Sequence, residues 1–141
     1  MIHENLYTLR KINKLTQEEV AEKIGVSRQA LAKWENGETL PDIEKCSALA
    51  DLYNVSLDNL VHYSQEKEKY PIPPKGKYVF GLIQLNEDGT IKIPDQAKEI
   101  FQLHAKDQLI LLGDEKQGLA LIKEESFLNM IEHMKQGDFY E

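Results

Sequence analysis

The sequence has a single cysteine, Cys46, which excludes an intrachain disulfide and a cysteine-rich metal site. Cys46 falls within an apolar helical pattern and reads as a small core residue rather than a reactive thiol. Apolar runs stop at four or five residues. That is far short of the roughly 20 a membrane-crossing helix needs. The opening MIHENLYTLRKINK has no apolar stretch of the kind a signal peptide carries, so a reduced cytoplasm is the expected compartment. His3, His62, His104 and His133 are scattered and show no metal-ligand spacing with carboxylates or Cys46. A phosphate-binding glycine loop and a nucleophile elbow are both missing. Glu18-Glu19 and Glu124-Glu125 are adjacent on helical stretches, so each pair points about 100° apart and makes no acid/base dyad. No enzyme, no cofactor and no metal are expected.

Positive charge is short as well. The net charge is −7, with no arginine after Arg28. Residues 1–62 hold seven Lys and Arg against ten Asp and Glu, and residues 63–141 hold ten against fourteen. Phosphate neutralisation supplies much of the affinity for nucleic acid. Any such binding must therefore come from positive charge concentrated on one face.

What is present is the material of a globular protein: 141 residues, 41% of them hydrophobic, enough for one ordinary domain or two small ones. The first region, 1–62, has helical periodicity throughout. Ile2, Leu6, Leu9 and Ile12 mark a first helix to about Asn13. Thr16 is an N-cap with Glu19 three residues on, the capping-box pattern, and Val20, Ala21 and Ile24 form the inner stripe of a second helix. Gly25 stands where a left-handed C-cap wants glycine. Ser27 caps a third helix over 28–36, closed by Gly37. Asp42 starts a fourth, with Ile43, Cys46, Leu49, Ala50 and Tyr53 inside. Ser56 caps a short fifth, with Leu57, Leu60 and Val61 inside.

Only a few residues separate the second and third helices, which forces a sharp corner: a helix-turn-helix. On the third helix Leu31 and Trp34 point toward the core. Gln29, Lys33 and Asn36 lie nearly opposite, and Arg28 sits on the first turn with a long reach. Such a face is most often only solvated. The corner before it shifts the balance, because Arg and Gln read guanine and adenine edges bidentately.

The run LRKINKLTQEEVAEKIGVSRQALAKWENGETLPDIEKCSALADLYNVSLDNLV resembles the phage-repressor (Cro/cI, or XRE) helix-turn-helix family over its whole length. Its landmarks are Arg10, Gln17, TQEEVAEKIGVS, WENG, Pro41 and VSLDNL. The resemblance implies a five-helix, lambda-repressor-like bundle. It implies that Gln17 contacts phosphate and braces the recognition helix, that Ser27 caps that helix and contacts phosphate, and that Asn36 meets a phosphate near its end. Arg28, Gln29 and Lys33 would reach bases. It also implies an ion pair between Arg10 and Glu35, against the alternative of two independent solvated charges. Arg10, Lys11, Lys14, Arg28 and Lys33 would then line the DNA side, with Glu18, Glu22, Glu38 and Glu44 facing away.

Residues 63–77, YSQEKEKYPIPPKGK, carry three prolines and no sustained apolar period, and read as a semi-rigid linker with room for a brief helix over 65–69. After it the period changes to two. Strands are expected over 78–85, apolar on both faces, over 90–93, 108–112 and 118–122, with a helix opened by Asp95 and carrying Ala97, Ile100, Phe101 and Leu103. This ββαββ unit, 78–125, is too small to bury such strands alone. GLIQLNEDGTIKIPDQAKEIFQLHAKDQLILLGDEKQGLALIKEESF resembles the AbrB/MazE (SpoVT-AbrB) swapped-hairpin family, through DGTIKIP, the helix after it, Lys106-Asp107 and the glycine-containing hairpin. That resemblance implies an intertwined homodimer. Members often bind DNA through arginines here. This stretch offers Thr90, Lys92, Asp95, Gln96 and Lys98 instead, which argues for dimerisation rather than DNA contact.

Residues 126–141 read as a short amphipathic helix begun by Ser126, with Phe127, Leu128, Met130, Ile131 and Met134 apolar, then a loose GDFYE end. The helix packs on the dimer or binds a protein partner. The expected class is α+β in two domains. The expected function is a homodimeric, sequence-specific repressor of transcription, nucleoid-associated, on an inverted-repeat site in double-stranded DNA. The alternative is an antitoxin that holds a partner through 126–141 and regulates its own operon.

Overall fold

The structure, a computed structural model, describes residues 1–135; the expected loose end over 137–141 lies outside the described residues. The chain divides into two compact units, Met1–Gly81 and a second that begins at Leu82.

The first unit holds α1 (Ile2–Ile12), α2 (Gln17–Ile24), α3 (Arg28–Glu35), α4 (Ile43–Leu52), α5 (Leu57–His62) and α6 (Gln65–Glu68). Four of these helices start on a side-chain cap. Thr16, Ser27, Asp42 and Ser56 each accept a hydrogen bond from the backbone N–H three residues on. Each cap satisfies a donor that the first helical turn leaves without a partner. α1 packs on α3 and α5, α2 on α3 and α4, and α4 on α5. The core between them gathers Leu6, Leu9, Val20, Ala21, Leu31, Trp34, Cys46, Leu49, Ala50, Tyr53, Val55 and Leu60.

Three residues expected to face inward do not. Ile12, Ile43 and Leu57 are exposed. Each lies on the first or last turn of its helix. There the apolar stripe runs on past the edge of a bundle whose helices are only two or three turns long.

The proline-containing segment expected to be a linker packs back on the bundle. Ile72 is 8% exposed and belongs to the core cluster. The Tyr63 hydroxyl donates toward the carbonyl oxygens of Tyr70 and Pro71 at 2.7 and 3.1 Å. The backbone N–H of Lys75 donates to the Asn54 carbonyl at 2.8 Å.

In the second unit only two of the four expected strands form. β1 (Leu109–Asp114) and β2 (Gly118–Lys123) pair antiparallel, from Leu109 opposite Lys123 to Asp114 opposite Gly118. α7 (Asp95–Ile100) precedes them and α8 (Glu124–Lys135) follows, starting two residues before the expected Ser126. Residues 78–85 and 90–93 are not strands within the chain, so the expected ββαββ order is corrected to one helix, one hairpin and a terminal helix. A strand exists only where a neighbour completes its ladder, and the one ladder among the described residues is β1–β2. The turn between these two segments is nonetheless built. The Asn86 and Thr90 backbones join at 2.9 Å, and the Asp88 carboxylate accepts from both the Thr90 N–H and its hydroxyl.

Candidate nucleic-acid interface

The corner between α2 and α3 is three residues, Gly25-Val26-Ser27. Gly25 has φ +73°, a left-handed conformation that ends α2 and turns the chain at once. Upstream, Thr16 Oγ1 accepts from the Glu19 N–H at 3.1 Å while the Glu19 carboxylate accepts from the Thr16 N–H at 2.7 Å. That backbone donor holds the Glu19 carboxyl below the usual carboxylate range. Downstream, Ser27 Oγ accepts from the Ala30 N–H at 3.1 Å and fixes the start of α3.

α3 has two faces of different chemistry. Leu31, Trp34 and Glu35 are buried. Ser27, Arg28, Gln29, Lys33 and Asn36 are exposed. Glu35 explains how so polar a helix is held. Its Oε1 accepts from Arg10 Nε at 2.6 Å and its Oε2 from Arg10 Nη2 at 3.0 Å, a bidentate fork from α1. The same Oε2 accepts from Gln17 Nε2 of α2 at 2.9 Å. Arg10 Nη1 donates to the Leu15 carbonyl at 3.0 Å. One carboxylate thus ties three helices together. The bond to Glu35 raises the guanidinium pKa further, against the opposing effect of burial.

Gln17 and Arg28 come together, with Arg10, Lys11, Lys14, Leu15, Thr16 and Glu18, around an open cleft of about 690 Å³. Ser27, Gln29, Lys33 and Asn36 do not line it. Two expectations about charge change here. Glu18 shares the cleft with the lysines instead of facing away. Arg10 lies at the cleft but is 7% exposed, its charge already matched by Glu35, so the accessible cations at this edge are Lys11, Lys14 and Arg28.

One residue that fixes α1 against the bundle, Asn5, escaped the reading of the sequence. Asn5 is 1% exposed and donates to the carbonyls of Leu60 and Tyr63, stitching α1 to the end of α5. An amide inside the apolar stripe of α1 was the available signal. Tyr53 carries a buried hydroxyl with no hydrogen-bond partner among the described residues; burial and then the Glu35 charge push its pKa up.

The family model described as Helix-turn-helix matches residues 6–60, from α1 to α5. YobD of Bacillus subtilis (strain 168), named an HTH-type transcriptional regulator, is 35% identical over 106 residues, which cover 73% of this chain and 95% of YobD. The chain belongs to the helix-turn-helix family of transcriptional regulators. The HTH-type transcriptional activator BcrR of Enterococcus faecalis is 28% identical over 98 residues, 65% of this chain and 48% of BcrR. YqaE of Bacillus subtilis (strain 168), another HTH-type transcriptional regulator, is 39% identical over 61 residues, 43% of this chain and 53% of YqaE. The chain thus matches about half the length of BcrR and YqaE, and nearly all of YobD.

Proposed function

We propose that the chain is a sequence-specific regulator of transcription that binds double-stranded DNA as a homodimer, on an inverted-repeat site. The observation that carries this is α3: a helix exposed along one face with Arg28, Gln29, Lys33 and Asn36, and locked on the other through Glu35 to both preceding helices. A rigid helix with bidentate side chains on its free face is what the major groove accepts. Arg28, Gln29 and Lys33 are assigned to base edges. Gln17, Ser27 and Asn36 are assigned to phosphates that set the register. Gln17 keeps its carboxamide oxygen and one N–H beyond the bond to Glu35.

The homodimer is assigned to residues 78–125, as a swapped-hairpin unit. Leu82 is 91% exposed, Leu85 68% and Leu119 78%, alongside Leu111 and Phe101. Apolar surface of that kind, next to residues 78–85, which are apolar on both faces and not formed as a strand, supports a second copy of the chain as its cover. Two copies would set two recognition helices one helical turn apart or a multiple of it.

Selection of bound sequences from random DNA tests the reading: a two-fold site is expected, and a pool without enrichment would overturn it. Gln29→Ala should cost roughly 1–3 kcal/mol and relax one base position per half-site. Equal affinity and equal selectivity in that variant would remove Gln29 from the base-reading set.

A second reading, a protein partner held by residues 126–141, rests on Leu128 and Met130, both exposed on α8. Capture of a partner by the full chain and its loss on removal of 126–141 would favour it.

A further inference from the structure

We propose that residues 63–76 are a strap that shortens the joint between the DNA-binding unit and the dimer-forming unit, and so sets which half-site spacings the protein accepts. The proposal rests on the dimeric DNA-binding reading above. Its observations are separate from those of α3.

Composition alone makes this segment a tether: three prolines, six charged residues and no apolar period between 63 and 77. The structure fastens it at three heights. At its start, Asn5 of α1 donates to the Tyr63 carbonyl at 2.9 Å. In its middle, the Tyr63 hydroxyl reaches back to the Tyr70 and Pro71 carbonyls, and Ile72 is buried in the helical core. At its end, the Lys75 N–H donates to the carbonyl of Asn54, in the turn between α4 and α5. Three of these ties reach the bundle, from α1, the core and the α4–α5 turn, and the Tyr63 hydroxyl closes the strap on itself.

The consequence is one of length. A chain free from 63 to 77 has fifteen residues and a reach of about 50 Å. Fastened through 76, it leaves only Lys77 before the dimer-forming residues, a reach of about 3 Å. Pro73 and Pro74 stiffen the fastened part, and Gly76, with φ +81°, turns the chain where the strap ends. A long tether lets two recognition helices meet half-sites at many separations at nearly equal cost. A short one concentrates them near one separation and raises the effective concentration of the second helix there.

The test uses the full chain and inverted repeats of its selected half-site, with the centre-to-centre separation varied in single base-pair steps over two helical turns. The wild type should bind one separation at least about tenfold more tightly than its neighbours, as a short joint requires. Tyr63→Phe combined with Ile72→Ser releases the strap. Trypsin cleavage after Lys69 and Lys75 should then quicken, and the spacing preference should flatten to about threefold or less. A second variant leaves every strap contact in place and inserts ten Gly and Ser residues after Lys77. It should flatten the preference in the same way, and it decides the matter if the double variant does not fold. A wild type indifferent to spacing overturns the strap's role. So does an unchanged profile in the insertion variant, or in a double variant whose cleavage has quickened, and so does cleavage that does not quicken. Each leaves the DNA-binding reading standing. A wild type that selects no two-fold site overturns both.

Discussion

At the scale of single residues, Glu35 is where stability and the candidate interface meet. It is buried, and its carboxylate is shared between Arg10 and Gln17. A buried pair is worth little against a well-packed apolar replacement, yet losing one partner is costly because the other charge stays behind without water. Glu35→Ala should therefore destabilise the bundle by roughly 3–5 kcal/mol. The double change Arg10→Met with Glu35→Leu should restore most of that. Urea unfolding at an unchanged m-value measures both. The double variant also separates two roles of the network: with stability recovered but Gln17 unheld, a fall in DNA affinity would mark bracing of α2 against α3 as a second contribution. Tyr53 offers the opposite case. Its hydroxyl is buried with no hydrogen-bond partner among the described residues, so Tyr53→Phe removes a desolvated group and loses no bond. The variant should be as stable as the wild type or more stable by about 1 kcal/mol.

At the scale of elements, the corner before α3 can be tested by the two glycines that flank the helix. Gly25 has φ +73° and open space where a Cβ would go; Gly37 has φ +78°, and a Cβ there would come within 3.3 Å of the His3 ring. Gly25→Ala should cost only the left-handed backbone term, roughly 1–2 kcal/mol. Gly37→Ala should cost more, and thermal unfolding of the pair orders them. These corners were legible beforehand because caps and turns are local: Thr16, Ser27, Asp42 and Ser56 act on neighbours three residues away. Burial was legible along most of each inner stripe, Trp34 and Tyr53 at helix ends included, but not at every end. Ile12, Ile43 and Leu57 fit the period but sit beyond the reach of a core this small, and only the neighbouring helices decide that. Ile72 was hidden for the converse reason, since prolines erase periodicity without preventing one side chain from docking. Residues 78–85 looked like a strand because they alternate. Alternation describes a side chain's two faces, whereas a strand also needs a backbone partner, and sequence pattern carries no information about which chain supplies it. At the interface, the outer face of α3 could be drawn from 100° steps alone. The position of Glu18 could not, because it depends on how α1 and α2 meet.

At the scale of the whole molecule, a net charge of −7 opposes a polyanion. Binding must then lean on few cations. With Arg10 matched by Glu35, the exposed ones around α3 and the cleft are Lys11, Lys14, Arg28 and Lys33, four per copy. Each phosphate neutralised on duplex DNA contributes about −0.9 to the slope of log affinity against log salt. Two copies can reach a slope of about −7 and one copy no more than about −4. The slope thus counts copies as well as contacts. A value steeper than about −4 excludes binding by a single copy through this face, without reference to the oligomeric state in free solution. Lys11→Ala should reduce the slope by about 2 if two copies engage and by about 1 if one does, with base preference unchanged. Glu18→Gln provides the control of opposite sign. Glu18 neutralises no phosphate, so its replacement should raise affinity at low salt and leave base preference as it was. Fluorescence anisotropy over a range of salt concentrations reads all three proteins. If Lys11→Ala left the salt slope untouched and Glu18→Gln left the low-salt affinity untouched, the cleft between α1 and α2 would be removed from the interface, and the acidic balance of the molecule would have to be overcome by α3 alone.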